Sequence, residues 1–267
     1  MVLKITGTPK VKADSKGRQI YTVECSEGIK EYTYVGRLEK GAGGELILSG
    51  NGKLRGNDGT LFYRGNLENG EKKGKGTTYY PDGKPCYIGD WENNKKHGQG
   101  IYHSPSGNKY KGNWENNVRK GKGTEYYPNR KVYYVGDWEN SKMHGQGIEY
   151  HRNGDIYKGN WENGMMNGWG TYYYTDRGKY KGNWKNSKKH GKGISTDRKG
   201  RVYEWLYNNG SLKEQTTMSR EFYRENGEIG DRDSGKRRKL YTEKYDENGV
   251  RSTVTYNHYG PDGILER

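Results

Sequence analysis

Tyr110-Lys111-Gly112-Asn113-Trp114-Glu115-Asn116-Asn117-Val118-Arg119-Lys120-Gly121-Lys122-Gly123-Thr124 decides the fold. Tyr110, Gly112 and Trp114 fall at alternate positions. In an extended chain they share one face, while Lys111 and Asn113 point to the other. The stretch recurs in phase. The Tyr position returns at 63, 87, 110, 134, 157 and 180, at spacings of 24, 23, 24, 23 and 23 residues. The large apolar position reads Leu67, Trp91, Trp114, Trp138, Trp161 and Trp184. Each copy closes on a glycine pair, from Gly74/Gly76 to Gly191/Gly193, followed by Thr or Ile. Self-similarity at such a period signals a repeat array.

Strand fits this pattern better than helix. Glycine disfavours helix, and the chain has 43 in 267 residues. Pro81-Asp82-Gly83, Ser106-Gly107 and Asn153-Gly154 tolerate positive φ and read as turns between Tyr-, Thr- and Ile-rich runs. Each repeat therefore predicts one β-hairpin of two short strands, with glycines that leave room for Tyr and Trp rings to lie flat. The expected fold is all-β: a solenoid-like, single-layer antiparallel sheet of consecutive hairpins with small β or irregular caps. Two strands per repeat give a ribbon or trough roughly 70–80 Å long for seven or eight units.

The Tyr110-to-Gly123 stretch resembles the MORN repeat (membrane occupation and recognition nexus). So do His97-Gly98-Gln99-Gly100, His144-Gly145-Gln146-Gly147 and His190-Gly191-Lys192-Gly193. The resemblance is strong over 63–202. Degenerate units extend it to Tyr34-Val-Gly36-Arg-Leu38, with an insertion before Tyr63, and to Tyr203-Glu-Trp205-Leu-Tyr207. The expected organisation is a cap over 1–33, the array over 34–210 and an extension over 211–267. Leu3–Ile5 and Gln19–Val23 read as cap strands around a Lys16-Gly17 turn. Residues 211–224 read as a short helix and Asp231–Lys239 as a loop. Leu240–Tyr245 and Ser252–Tyr256 read as a hairpin about Glu247-Asn248-Gly249.

Composition narrows the function. Hydrophobic residues make up only 28%, with 26 Tyr and 7 Trp but 2 Phe. That suits a single sheet held by aromatic pairs rather than a two-layer core. The Gly-x-Gly pairs lack the Lys-Ser/Thr of a phosphate loop and recur as architecture. Equivalent histidines of alternate units fall about 20 Å apart, too far to share a metal ion. Asp231-x-Asp233-x-Gly235 lacks the spacing of a calcium loop, and no nucleophile elbow is present. Cys25 and Cys86 are isolated and read as reduced thiols. Met1-Val-Leu-Lys leads into polar residues, so the chain reads as soluble and intracellular. The expectation is no enzyme, no catalytic residue, no metal and no cofactor.

What remains is surface. A single layer cannot bury both faces, so the aromatic stripe (Tyr87, Trp91, Tyr110, Trp114, Tyr134, Trp138, Tyr157, Trp161, Tyr180 and Trp184) is expected to leave a row of rings open to a partner. Net charge is +15. Lys95, Lys96, Arg119, Lys120, Lys188 and Lys189 are expected to sit in the hairpin turns and line a basic edge. This favours acidic partners. The resemblance implies a scaffold that grips a helix or extended segment of a protein partner. Its setting would be the cytoplasm, in the cytoskeleton, a ciliary or flagellar axoneme, or a radial spoke. The alternative that the resemblance implies is a tether to phosphoinositide or other anionic membrane. Nucleic acid is disfavoured by Asp90, Glu92, Glu115, Asp137 and Glu139 beside the rings.

Overall fold

The hairpin tips show why the chain pairs as it does. Asn116 and Asn117 have φ of 50° and 72°, and Asn93 and Asn94 have 46° and 64°. Two consecutive residues at positive φ give the tight turn whose twist matches paired strands. The tips also clip neighbouring repeats together. Asn117 Oδ1 accepts the Lys96 N–H at 2.8 Å, and its own N–H donates to Lys96 O at 3.0 Å. Asn94 holds Lys72 in the same way. Asn93-Asn94 and Asn116-Asn117 are thus the tight turns themselves. Lys95, Lys96, Arg119, Lys120, Lys188 and Lys189 all lie in the first three residues of a strand, which corrects their expected place in the turns.

A computed structural model describes residues 3–16, 18–27, 30–218, 238–245, 251–259 and 265–266. Every regular element among them is a strand. The chain forms two compact units, 1–133 with 138–141, and 134–137 with 142–267. The first holds β1 (Lys4–Ile5), β2 (Lys10–Ala13), β3 (Gln19–Glu27), β4 (Lys30–Lys40), β5 (Leu46–Arg55), β6 (Leu61–Glu68), β7 (Glu71–Tyr79), β8 (Pro85–Glu92), β9 (Lys95–His103), β10 (Lys109–Glu115) and β11 (Val118–Tyr126). The division falls within β12 (Val132–Glu139). The second unit continues with β13 (Lys142–Tyr150), β14 (Ile156–Glu162), β15 (Met165–Tyr173), β16 (Lys179–Lys185), β17 (Lys188–Thr196), β18 (Val202–Asn208), β19 (Ser211–Met218), β20 (Arg238–Tyr245), β21 (Arg251–Tyr259) and β22 (Leu265–Glu266).

Within each unit, consecutive strands pair antiparallel in an open sheet. In the first, β3 to β11 follow in sequence order, and both β1 and β2 pair with β3. In the second, β13 to β22 do the same. The hairpin over the Lys16 turn is β2–β3, not β1–β3; β1 lies instead against Cys25 and Ser26. The expected helix over 211–224 is corrected for its first part. Residues 211–218 are β19, which follows the array's register because Leu212 faces Tyr207 as Lys189 faces Trp184. Residues 219–224, the turn at 247–249 and most of the Asp231–Lys239 segment lie outside the described residues.

One register organises both sheets. Gly36, Gly52, Gly65, Gly76, Gly89, Gly100, Gly112 and Gly123 face one another strand by strand. In the second unit the row runs Gly147, Gly159, Gly170, Gly182 and Gly193, and ends on Trp205. The second glycine of each pair accommodates a ring. A Cβ on Gly123 would lie 2.3, 2.5 and 2.6 Å from Tyr110 Oη, Cε2 and Cζ. The first glycine has a different task. Gly121 has φ of 75° and sits at the bulge where the β10–β11 register shifts between Gly112 and Trp114.

Candidate interaction surfaces

The aromatic stripe is the core. Tyr87, Tyr110, Tyr134, Tyr157 and Tyr180 are 0% exposed, and Trp91, Trp114, Trp138, Trp161 and Trp184 are 4–6% exposed. This corrects the premise that one row of rings stays open. Each Tyr lies flat on its glycines, and in Tyr87, Tyr110, Tyr134 and Tyr157 the hydroxyl donates to the carbonyl three residues on, whereas the buried Tyr180 hydroxyl has no such partner among the described residues. Tyr110 Oη reaches Asn113 O at 3.1 Å and Tyr87 Oη reaches Asp90 O at 2.9 Å. Trp rings then stand edge-on between successive tyrosines. Trp114 lies 5.5 Å from Tyr87 and 5.3 Å from Tyr110, and Trp184 lies 5.4 Å from Tyr157 and 5.5 Å from Tyr180. Each such pair contributes about 0.5–1.5 kcal/mol beyond its burial. Burial raises the tyrosine pKa values; Tyr110 is pushed up to about 12.

The basic set divides in two. Lys95, Lys120 and Lys188 are exposed beside the hairpin tips. Their sequence neighbours Lys96, Arg119 and Lys189 fold over the rings. Lys96 Nζ sits 5.5, 4.6 and 4.9 Å from the Tyr87, Tyr102 and Trp114 ring centres. Arg119 covers Tyr110 and Trp138, and Lys189 covers Tyr174, Tyr180 and Tyr207. Lys72 does the same over Tyr63 and Trp91. Burial lowers the Lys72, Lys96 and Lys189 pKa values. These long side chains are the lid of the stripe: their stems cover ring surface while the cation meets the ring face. In the second unit, Met166 faces Trp161 as Lys96 faces Trp91 and Lys189 faces Trp184. A thioether therefore serves where a cation does elsewhere.

The open face is the opposite one. In the first unit Arg64, Thr77, Ile88, Ile101 and Lys111 face one another along one row. With Lys75 they line a groove of about 540 Å³ floored by Gly65, Gly76, Gly89 and Gly100. Ile88 is exposed there. Lys75 Nζ pairs with Asp90 Oδ1 at 2.6 Å, and the Gln99 amide donates to Asn113 Oδ1. In the second unit, Trp169 is 48% exposed and lines a groove of about 340 Å³. The alternation did contain this face: Ile88 and Ile101 sit out of phase with the rings. The sequence reading missed it because the rings outweigh scattered isoleucines as an apolar signal.

The recurrent histidines have local roles. The Asn209 N–H donates to His190 Nδ1 at 3.2 Å, whereas Tyr87 Oη reaches only the main-chain carbonyl of His97, at 3.3 Å, and the buried His97 Nδ1 has no hydrogen-bond partner among the described residues. Among the described residues no group of His, Cys, Asp and Glu is placed to hold a metal ion. Cys25 and Cys86 are free thiols, and burial pushes Cys25 up to about 11.

The comparison with known families agrees with the repeat geometry. The MORN repeat matches at 63–84, 87–109, 110–132, 134–156, 157–179 and 180–200. No curated protein matches the chain. MORN repeats are in general protein- or membrane-interaction modules, and the match includes no catalytic domain. With six consecutive repeats over half its length, the chain belongs to the MORN-repeat family.

Proposed function

We propose that this chain is a non-enzymatic scaffold that holds an extended or helical segment of a partner protein on the face opposite its buried rings. The groove of the first unit carries this reading. Arg64 and Lys111 flank Ile88 and Ile101 there, while Lys75 is paired with Asp90. Such a surface offers an apolar floor and fixed positive charge, which suits an acidic amphipathic segment. The finer placement in a cytoskeletal assembly, such as a ciliary axoneme or radial spoke, rests on the family resemblance alone. Imaging the tagged chain in its own cell tests it.

The second reading is a tether to phosphoinositide or other anionic membrane. Exposed Lys95, Lys120 and Lys188 favour it, since each lysine near an anionic leaflet contributes roughly 1 kcal/mol. Two sets of charge reversals separate the readings. Arg64→Glu with Lys111→Glu should abolish capture of the native partners while leaving vesicle binding unchanged. Lys95→Glu, Lys120→Glu and Lys188→Glu should do the reverse if the membrane is the target. Capture unaffected by the groove reversal contradicts the scaffold reading.

A further inference from the structure

Departures from the repeat gather at one place in the second unit. The middle residue of the Gly-x-Gly pair is Lys75, Gln99, Lys122, Gln146 or Lys192, except in one copy, where it is Trp169. The residue between Tyr and Gly is Arg64, Ile88, Lys111, Val135, Lys158 or Lys181; its counterpart in β18 is Glu204. The residue between Gly and Trp is Asn or Asp in all six copies; its counterpart is Leu206. Glu214 faces Leu206 from one side as Lys192 does from the other, so it occupies the Gly-x-Gly middle position of β19. All four departures line one groove.

None of the four is needed by the stripe, since all point to the opposite face. Two replace polar residues with exposed or half-buried apolar ones, and two replace basic or neutral residues with acids. A terminal repeat that merely loosens toward solvent has no reason to add Trp169 and Leu206. We infer that this groove is a second docking surface, independent of the basic groove of the first unit, and that its occupant is a peptide segment presenting arginine beside an apolar side chain. The guanidinium plane would stack on Trp169 and be held by Glu204 and Glu214, while the apolar neighbour covers Leu206 and Ile194. Among the described residues two lysines bear on the site, and Glu204 already has an interaction that arginine must replace. Lys192 lines it, and Lys244 Nζ lies 3.7 Å from Glu214 Oε1, beyond hydrogen-bond reach. Lysine is the weaker bidentate partner, so arginine displaces Lys244 from Glu214.

The test uses the full chain and a fluorescein-labelled peptide, Gly-Ser-Arg-Leu-Arg-Ser-Gly, in near-physiological salt that screens the net charge of +15. Trp169→Lys and Glu204→Lys install residues the array already carries at the same repeat positions, so the fold tolerates them. Each should weaken the peptide at least tenfold by anisotropy, replacing arginine by glutamate in the peptide should abolish binding, and Arg64→Glu should change nothing. No binding to the wild-type chain, equal binding to both substituted chains, or equal binding of the glutamate peptide overturns the proposal. Loss of the scaffold function on Arg64→Glu with peptide binding intact would leave the two surfaces separately established.

Discussion

Gly123→Ala should be among the most damaging single-methyl additions in the chain. The new Cβ would sit 2.3–2.6 Å from three atoms of the Tyr110 phenol, so the ring must swing away. That forfeits its edge contacts with Trp114 at 5.3 Å and Trp138 at 5.1 Å, about 1–3 kcal/mol together. It also breaks the hydroxyl bond to Asn113 O at 3.1 Å, about 1 kcal/mol. The expected loss is about 2–4 kcal/mol, read from urea denaturation followed by circular dichroism and tryptophan fluorescence. Gly121→Ala places an L-residue at φ 75° and should cost only about 1–2 kcal/mol. The decisive comparison is a double-mutant cycle. Once Tyr110→Ala has removed the ring, adding Gly123→Ala should cost at most about 0.5 kcal/mol, since alanine is otherwise favoured over glycine in a strand. Equal cost with and without the ring would refute the assignment of the glycine row to ring accommodation.

The buried phenols set an alkaline limit. Tyr110 and Tyr207 are pushed up to about 12, and the other stripe tyrosines also rise by burial. Above the ordinary value near 10 the unfolded chain releases phenol protons that the folded chain keeps. Stability is therefore complete below about pH 10 and falls as pH rises from there; tyrosinate absorbance should appear cooperatively with loss of circular dichroism. Lys96→Met should stay within about 1 kcal/mol of the parent, because Met166 already occupies the equivalent position. Lys96→Glu should cost about 2 kcal/mol or more, because it buries a carboxylate against the negative ring faces. Asn117→Ala should lose about 2 kcal/mol, from strain at φ 72° and from the lost acceptor for the Lys96 N–H.

Much of the architecture was legible because it repeats. The alternation of Tyr110, Gly112 and Trp114 gave strand, face and hairpin, and the in-phase glycines gave a shared register. Three things were not. The alternation separates two faces without saying which one closes, and Lys96, Arg119 and Lys189 turned out to be its lid, although as charged residues they read as an edge. The two glycines of each pair look alike in sequence, yet one is fixed by its φ and the other by a ring from the partner strand. Residues 211–218 lack the motif, and read by themselves they pointed to helix. Pairing with β18 decided the matter, an instance of tertiary context overriding weak local preference.

The central claim is that the rings are the interior of the array and the opposite face is its working surface. Hydroxyl-radical footprinting of the intact chain, read by mass spectrometry, tests it residue by residue. The account predicts fast modification of Trp169, Tyr173, Ile88 and Val135, which are exposed, and protection of Tyr87, Tyr110, Tyr157, Trp114, Trp161 and Trp184. Modification of the stripe tryptophans as fast as Trp169 would contradict it.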